Sequence, residues 1–275
     1  MQLTKNIFVN SELSACNLSM IITREGIVMI DTPGNAHNSI KWRDEINGRG
    51  ILRYVINTEE HGDHCTGSWF FPGVLITSEK TREKVAGMSS KEIRERAIKN
   101  DPSVSSLMQT FEMRLADITF EGRMGLHLGD QVFIMFALPG HTPGGIGVHV
   151  PEERVVFCCD CVFHKVKTWL QDANPEQWLE SINKLGKLDV DTIVPGHGSI
   201  CTRDYLHEQA TVIKDWVLTV KEAIKKGWSQ DEAVSRIVPP DPYPKQATVS
   251  TPEDEINRRS IIHLYQLYSG SNQAG

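Results

Sequence analysis

Two histidines and three carboxylates stand within six residues, in the sequence EEHGDH at positions 59–64. Imidazole nitrogens and carboxylate oxygens are groups that bind zinc and related cations in proteins. In an extended strand end, Glu59 and His61 point the same way, and His64 points elsewhere once the chain turns into a helix. The spacing therefore predicts a loop that serves two metal positions, with Glu59 and His61 at one and Asp63 and His64 at the other.

Three further loops carry a ligand-type residue, and each of them follows a predicted strand. They are PGHTPGG around His141, CCDC around Asp160 and PGHG around His197. Glycines beside the histidines let the backbone come close to a buried ion, and the carboxylate of Asp160 is able to bridge two cations. A single histidine in such a turn is more often structural or merely exposed. Four clusters at successive strand ends, however, indicate a metal centre.

The segments that must position these loops alternate between strand-rich and helical runs. Strands are predicted at 19–23, 26–30, 51–57, 74–77, 118–120, 125–128, 132–136, 146–150, 154–159 and 192–194. Helices are predicted at 37–47, 89–99, 103–115, 174–185, 205–226, 229–237 and 252–268. The charged, helix-prone run at about 79–116 reads as an insertion, either a lid over the site or a layer packed on the sheet. The order predicts an α/β protein with a sheet-on-sheet core flanked by helices.

Composition describes an ordinary soluble globular protein, with 40% hydrophobic and 23% charged residues. We expect one domain over residues 1–275. The net charge of -6 argues against binding to nucleic acid or an anionic membrane surface. No apolar run is long enough to span a membrane and no signal peptide is visible, so a cytoplasmic location is expected. The six cysteines are then expected to be reduced thiols.

Together the four motifs resemble the metallo-β-lactamase fold superfamily, whose first loop is written His-x-His-x-Asp-His and is followed by a distant His, Asp and His. The resemblance covers the chain from about residue 19 to 198. It implies a four-layer αββα sandwich and a dinuclear metal centre, to which the sequence pattern adds the helical insertion at about 79–116 and C-terminal helices at about 203–268. The implied ligands are Glu59, His61 and His141 for one metal, and Asp63, His64 and His197 for the other, with Asp160 bridging. Asp31 matches a recurrent acidic position that supports the metal loop.

Glu59 departs from the family pattern, which usually has His at this position. It either binds the metal, or turns away and leaves the first site weak or empty, or is replaced by Glu60 swinging in. We favour the first alternative, and the alternation of side chains disfavours Glu60 most. A carboxylate is a harder donor that suits manganese or iron. The metal therefore stays open between zinc, iron and manganese.

Cysteines beside the predicted ligands are the second departure. Cys159 stands where the family commonly has Gly, Cys158 and Cys161 flank it, and Cys65 follows His64. Thiolates would favour zinc. The alternative, which we favour, is that these residues are small buried hydrophobic side chains.

The resemblance implies a hydrolase in which a metal-bound hydroxide attacks an ester, thioester, lactone or amide of a small molecule. Asp63 would orient the nucleophile and shuttle its proton. The alternatives are a di-iron redox protein or oxygenase on the same fold, motivated by Glu59, and a relative that only binds. Substrate contacts are expected just past Asp160, at His164, Lys165, Lys167 and Trp169, although ordinary surface lysines fit equally well. No nucleic-acid or membrane partner is expected, and the oligomeric state is open, a homodimer among the alternatives.

Overall fold

Six strands form the first sheet of the structure, a computed structural model that describes residues 1–13 and 15–270. In chain order and in sheet order they are β1 (Ile7–Asn10), β2 (Leu18–Thr23), β3 (Gly26–Ile30), β4 (Leu52–Ile56), β5 (Val74–Ser78) and β6 (Ile118–Phe120). The pairs among β1, β2 and β3 are antiparallel, and those from β3 to β6 are parallel. A turn at Arg24 and Glu25 joins β2 to β3.

A second sheet of five strands and a small ladder of two complete the β structure. The remaining strands are β7 (Arg123–Leu128), β8 (Gln131–Ala137), β9 (Ile146–Val150), β10 (Val155–Phe157), β11 (Phe163–His164), β12 (Thr192–Val194) and β13 (His197–Gly198). The second sheet has the order β12-β10-β9-β8-β7, and β11 pairs with β13 in parallel. The sequence prediction missed β1, β11 and β13, because short strands leave little periodicity to detect.

Nine α-helices lie within the described residues. They are α1 (Ala36–Asn47), α2 (Gly62–Cys65), α3 (Glu79–Ala86), α4 (Ser90–Asn100), α5 (Ser105–Met108), α6 (Pro175–Gly186), α7 (Leu206–Lys225), α8 (Gln230–Arg236) and α9 (Glu253–Gly270). We call residues 237–252, between α8 and α9, the C-terminal strap. None of the described helices is both long and apolar enough to cross a membrane.

Alternating side chains along the strands build the layers. On β3, Val28 and Ile30 point into the apolar core between the two sheets, whereas Ile27 and Met29 pack towards α1. On β10, Val155 joins the core between the sheets and Val156 joins the cluster beneath α6, α7 and α9. Both sheets are therefore apolar on both faces, with helices outside them. The predicted αββα fold is confirmed.

The predicted insertion contains α3, α4 and α5, and it departs from the prediction at its end. Ser89 begins α4 as expected, because its side chain accepts a hydrogen bond from the backbone N–H of Glu92. The helix predicted at 103–115 was wrong beyond Met108, where α5 ends. Arg114 donates to the carbonyl of Phe71 at 2.8 Å and to the carboxylate of Asp117 at 2.8 Å. The bond to Phe71, which is 43 residues away in the sequence, holds this segment outside a helix although its composition favours one.

Candidate metal centre

The loop that follows β4 carries Glu59 and His61 on the same side of the chain. Residues 57–61 form a bent loop, and α2 begins at Gly62 with His61, whose backbone is extended, as its N-cap residue. Glu59 Oε1 lies 2.8 Å from His61 Nδ1. Asp63 and His64 follow within α2, as the predicted turn into a helix requires. The side chains of Glu59 and His61 in the loop therefore lie close to those of Asp63 and His64 in the short helix.

A first group of ligand atoms comes from three loops that are distant in sequence. Its members are Glu59, His61, His141 and Asp160, whose ligand atoms all lie within 4.8 Å of one another. His141 Nε2 lies 3.2 Å from His61 Nδ1, 3.3 Å from Asp160 Oδ2 and 3.7 Å from Glu59 Oε1. Two imidazoles and two carboxylates are a donor set that suits zinc, manganese or iron.

A second group shares Asp160 with the first. It contains His64, Asp160 and His197, with His64 Nε2 at 3.2 Å from Asp160 Oδ1 and His197 Nε2 at 3.2 Å from Asp160 Oδ2. Asp63 Oδ2 approaches this group at 3.5 Å from His197 Nε2. The structure therefore brings together all seven residues predicted as ligands.

Two buried atoms test whether this donor set fits a metal. His64 Nε2 and Asp160 Oδ1 are buried and face each other at 3.2 Å, and neither makes a well-aligned hydrogen bond within the described residues. A buried polar atom without a partner is costly, and a cation between these two would satisfy both. Burial acts to raise the pKa of Asp160, but the rings of His197 and His64 hold it well below its usual range. An ionised carboxylate facing imidazole nitrogens fits a divalent metal.

Glu59 points into the site and Glu60 points away from it. The Glu59 side chain is fully buried, and its Oε2 accepts a hydrogen bond from Thr142 Oγ1 at 3.0 Å. Burial and Asp160 act to raise the pKa of Glu59, yet His61 and His141 bring it to about 2. Glu60 instead accepts a bond from Thr81 Oγ1 at 3.3 Å, and burial raises its pKa. Glu59 is thus the carboxylate of this pair that faces the other ligand-type atoms.

Each histidine of the centre has a hydrogen-bond partner for the ring nitrogen that faces away from the site. The partners are Asp172 Oδ2 for His61 Nε2 at 3.1 Å, Asp31 Oδ2 for His64 Nδ1 at 2.9 Å, the Trp169 carbonyl for His141 Nδ1 at 3.0 Å, and Gln246 Oε1 for His197 Nδ1 at 3.3 Å. Such partners fix the tautomer and direct the opposite nitrogen to a metal. Neither Asp172 nor Gln246 was predicted from the sequence, since no local spacing ties either of them to a ligand.

Asp31 anchors the loop that carries Glu59 and His61 by hydrogen bonds to Thr58. Its carboxylate accepts bonds from the backbone N–H and the hydroxyl of Thr58, both at 2.7 Å, besides contacting His64. Asp31 itself adopts a left-handed backbone with φ of 59°. This conformation is tolerated by Asp better than by most residues, and it aims the carboxylate under the loop that carries Glu59.

Glycine is required in two of the ligand loops, for a reason the sequence did not supply. A Cβ at Gly196 would lie 1.9 Å from Asp160 Oδ1, and one at Gly140 would lie 2.2 Å from the Cα of Trp178. Gly140 also has φ of 143°. The close approach is therefore to neighbouring protein atoms, and it lets His141 and His197 reach the shared carboxylate.

All six cysteines are buried, and none of them forms a disulfide. Cys65 Sγ donates to the Glu60 carbonyl at 3.1 Å and Cys158 Sγ to the Val194 carbonyl at 3.5 Å. β10 ends at Phe157, and Cys159 follows with φ of 53°, a conformation that favours glycine. Cys16 was not predicted near the centre, yet its sulfur lies within 4.8 Å of ligand atoms of Asp63 and His64.

The four residues predicted to contact substrate lie in different surroundings. Trp169 lines the cavity over the centre, whereas His164, Lys165 and Lys167 are not among its lining residues. His164 Nδ1 lies 2.8 Å from the Ser199 carbonyl, and Lys165 is exposed. Lys167 is buried, and its Nζ donates to the Asp241 carbonyl at 3.0 Å and lies 3.3 Å from Glu253 Oε1. Its ammonium group therefore binds Asp241 of the C-terminal strap and the first residue of α9.

A cavity of about 760 Å³ opens over the ligand groups. That volume is within the range of sites for small organic molecules. Its walls come from α4, α5 and the C-terminal strap, and His61, Asp63 and His197 stand at its floor. The site is therefore concave and large enough for a substrate.

Comparison with known proteins supports the same fold. Residues 12–197 match the family model described as the metallo-beta-lactamase superfamily. The chain is 38% identical over 144 residues to a hydroxyacylglutathione hydrolase of Mesorhizobium japonicum, covering 52% of this chain and 47% of that protein. It is 24% identical over 168 residues to an acyl-coenzyme A thioesterase of Gallus gallus, covering 57% of this chain and 60% of that protein. The chain spans about half the length of the hydroxyacylglutathione hydrolases that it matches.

Solved structures match over more of the chain. A metallo-beta-lactamase family protein from Thermus thermophilus superposes with a TM-score of 0.72 at 15% identity, covering 98% of this chain and 95% of that one. The sec-alkyl sulfatase PisA1 superposes with a TM-score of 0.69 at 12% identity, covering 100% of this chain and 51% of that one. At these identities the likeness concerns the fold alone.

Proposed function

Because the chain belongs to the metallo-β-lactamase superfamily, we propose that it is a metal-dependent hydrolase that cleaves a small-molecule ester or thioester at a dinuclear centre. The observation that carries this proposal is the position of Asp160. Its Oδ1 lies 3.2 Å from His64 Nε2, and its Oδ2 lies 3.3 Å from His141 Nε2. A carboxylate that faces both groups of ligand atoms supports two cations held side by side.

Two divalent cations bound here would polarise the scissile carbonyl and lower the pKa of a coordinated water. Asp63 is the residue we assign to proton transfer. Its side chain is 28% exposed, whereas those of His64 and Asp160 are buried. It can therefore meet both the reacting water and the solvent in the cavity, and accept and pass on the proton of the attacking water.

The choice of a thioester or ester among the carbonyl substrates rests on the relatives. Two of them are named as a hydroxyacylglutathione hydrolase and an acyl-coenzyme A thioesterase. Thioesters are more reactive than amides towards water, so they demand less of a centre that includes three anionic residues. Those residues, Glu59, Asp63 and Asp160, reduce the positive charge at a bound water.

A second candidate function is a di-iron redox protein or oxygenase on the same fold. The buried carboxylate of Glu59, facing two imidazoles of the centre, favours it. Harder oxygen donors suit iron and manganese better than a histidine-rich site does.

One experiment tests both candidates. The protein is purified after expression with zinc, manganese or iron, its metal content is measured, and each form is assayed on acyl thioesters, esters, lactones and phosphodiesters. We expect about two metal ions per chain and turnover of thioesters or esters, abolished in Asp160→Asn. Bound zinc with an empty visible spectrum would remove the redox candidate, and the absence of turnover with every metal would remove the hydrolase.

A further inference from the structure

The cavity over the metal centre has an apolar wall on the side away from the ligand loops. This wall, which we call the insertion wall, consists of Phe70, Ile93, Ala97, Val104, Met108 and Phe111. All except Phe70 come from the helical insertion. The six side chains also belong to one apolar cluster, in which Val104, Met108 and Phe111 are buried. The wall is thus a packed surface rather than a set of isolated side chains.

Three residues of the insertion wall are only partly buried, and they face the cavity. Phe70, Ile93 and Ala97 have intermediate exposure and line the space above the centre. When a hydrocarbon group covers apolar surface that is otherwise in contact with water, the free energy of the system falls. A continuous apolar surface in a concave site is typical of a binding surface, whereas single exposed apolar residues are common on any protein.

Apart from the predicted ligands, the charged side chains that line the cavity carry no net formal charge. Among the described lining residues they are two cations, Arg96 and Arg259, and two anions, Glu12 and Asp101. Arg259 is already bonded to Glu255 at 2.6 Å. These formal charges cancel, so the lining outside the ligand groups has no net charge to attract a highly charged substrate.

From the wall and the charge balance we propose that the substrate carries an apolar hydrocarbon group that seats against the insertion wall while its carbonyl lies at the metal centre. This inference rests on the proposed hydrolase function. In the reaction, water adds to the carbonyl carbon and the C–S or C–O bond breaks. The leaving sulfur or oxygen takes a proton, so that one carboxylic acid and one thiol or alcohol form. The apolar group is on the acyl side or on the leaving side.

Two substrate series on the metal-loaded enzyme separate these sides. In the first, the acyl chain of N-acetylcysteamine thioesters grows from acetyl to octanoyl. In the second, the alcohol of acetate esters grows from methyl to octyl. We expect kcat/KM to rise in one series, by up to about fourfold for each buried methylene. A flat dependence in both series would overturn the proposal.

Substitutions in α4 locate the effect on the wall. Ala97→Trp fills the cavity and Ala97→Asp places a charge in it. In the series that shows the chain-length dependence, both are expected to lower kcat/KM for the octanoyl or octyl substrate by about tenfold or more, while the shortest substrate changes little. Lys99→Trp is the matched control, because Lys99 lies on the same helix, is exposed, and belongs neither to the cavity lining nor to the apolar cluster. Equal losses for the shortest and longest substrates, or an equal effect of Lys99→Trp, would contradict the assignment.

A binding measurement keeps this inference distinct from the hydrolase proposal. Octanoate is expected to raise the melting temperature of the metal-loaded protein more than acetate does, or octanol more than methanol does, and Ala97→Asp is expected to remove the difference. If no substrate is turned over but octanoate or octanol stabilises the protein in this way, the hydrolase proposal fails and the apolar site stands. If substrates are hydrolysed without any preference for chain length in either series, the hydrolase stands and the apolar site fails.

Discussion

Gln246 of the C-terminal strap touches His197 of the metal centre: its Oε1 lies 3.3 Å from His197 Nδ1 and accepts the backbone N–H of Gly198 at 3.1 Å. The family model ends at residue 197, so the strap lies beyond it. The segment that closes one wall of the cavity therefore also orients a candidate ligand. Metal binding and the position of the strap should be coupled.

Gln246→Ala tests this contact. Loss of the acceptor frees the His197 ring to rotate and to change tautomer, so we expect metal affinity to fall by about 10- to 100-fold. Competition with a chromophoric chelator measures the change. Gln246→Glu is the control, since it keeps an acceptor at the same place and should retain the affinity. Equal affinities for Gln246→Ala and the parent protein would show that the contact does not orient the ligand.

Glu59→His tests whether the carboxylate selects the metal. If Glu59 binds, replacement by imidazole removes one anionic donor, and we expect the ratio of bound manganese or iron to zinc to fall severalfold. Metal analysis after exposure to equimolar mixtures gives that ratio. Glu60→Gln is the matched control, because Glu60 is the neighbouring carboxylate and bonds to Thr81 instead. Unchanged content and preference in Glu59→His would mean that Glu59 is not a ligand.

Removal of metal should destabilise the protein. Without a cation, the buried carboxylates of Glu59 and Asp160 rely on imidazolium partners, whose desolvation is costly. At a free metal concentration of about 1,000 times Kd, binding adds about 4 kcal/mol to the free energy of unfolding. We therefore expect a chelator to lower the melting temperature by several degrees, and metal to restore it.

The Asp160→Asn variant provides the comparison for the chelator experiment. It loses the shared charge, so it should bind metal weakly and melt at nearly the same temperature with and without chelator. A chelator effect of the same size in both proteins would place the stabilising metal somewhere other than at Asp160.

Local pattern was sufficient to predict most strands of the two larger sheets and the loops that carry the candidate ligands. The expected alternation of side chains at residues 59–61 distinguished Glu59 from Glu60, and predicted strand ends marked the loops of His141 and His197. These inferences worked because strand periodicity and loop composition are local properties. The assignment of individual residues as metal ligands remains a prediction.

Tertiary contacts account for what local pattern did not reveal. Gln246 supports His197 across 49 residues of sequence, and Asp172 supports His61 across 111. No periodicity encodes such pairs. The helix predicted to run to residue 115 stops early because Arg114 is bound by distant carbonyls and a carboxylate, which outweigh its helix propensity.

Lys167 offers the sharpest contrast between a sequence prediction and its surroundings. The sequence suggested a substrate contact, whereas the side chain is only 4% exposed and bonds to Asp241 and Glu253. Removal of the ammonium group leaves the Asp241 carbonyl without its donor. We therefore expect Lys167→Met to lower the free energy of unfolding by about 2 kcal/mol, as measured by urea denaturation.

Lys165→Met is the matched control, because Lys165 is exposed and surface substitutions usually change stability by less than about 0.5 kcal/mol. Kinetics then separate the two roles of Lys167. If it anchors the strap, Lys167→Met should lower stability and weaken metal binding through Gln246, and added metal should restore much of kcat. A large rise in KM with stability and metal affinity unchanged would instead support direct contact with the substrate.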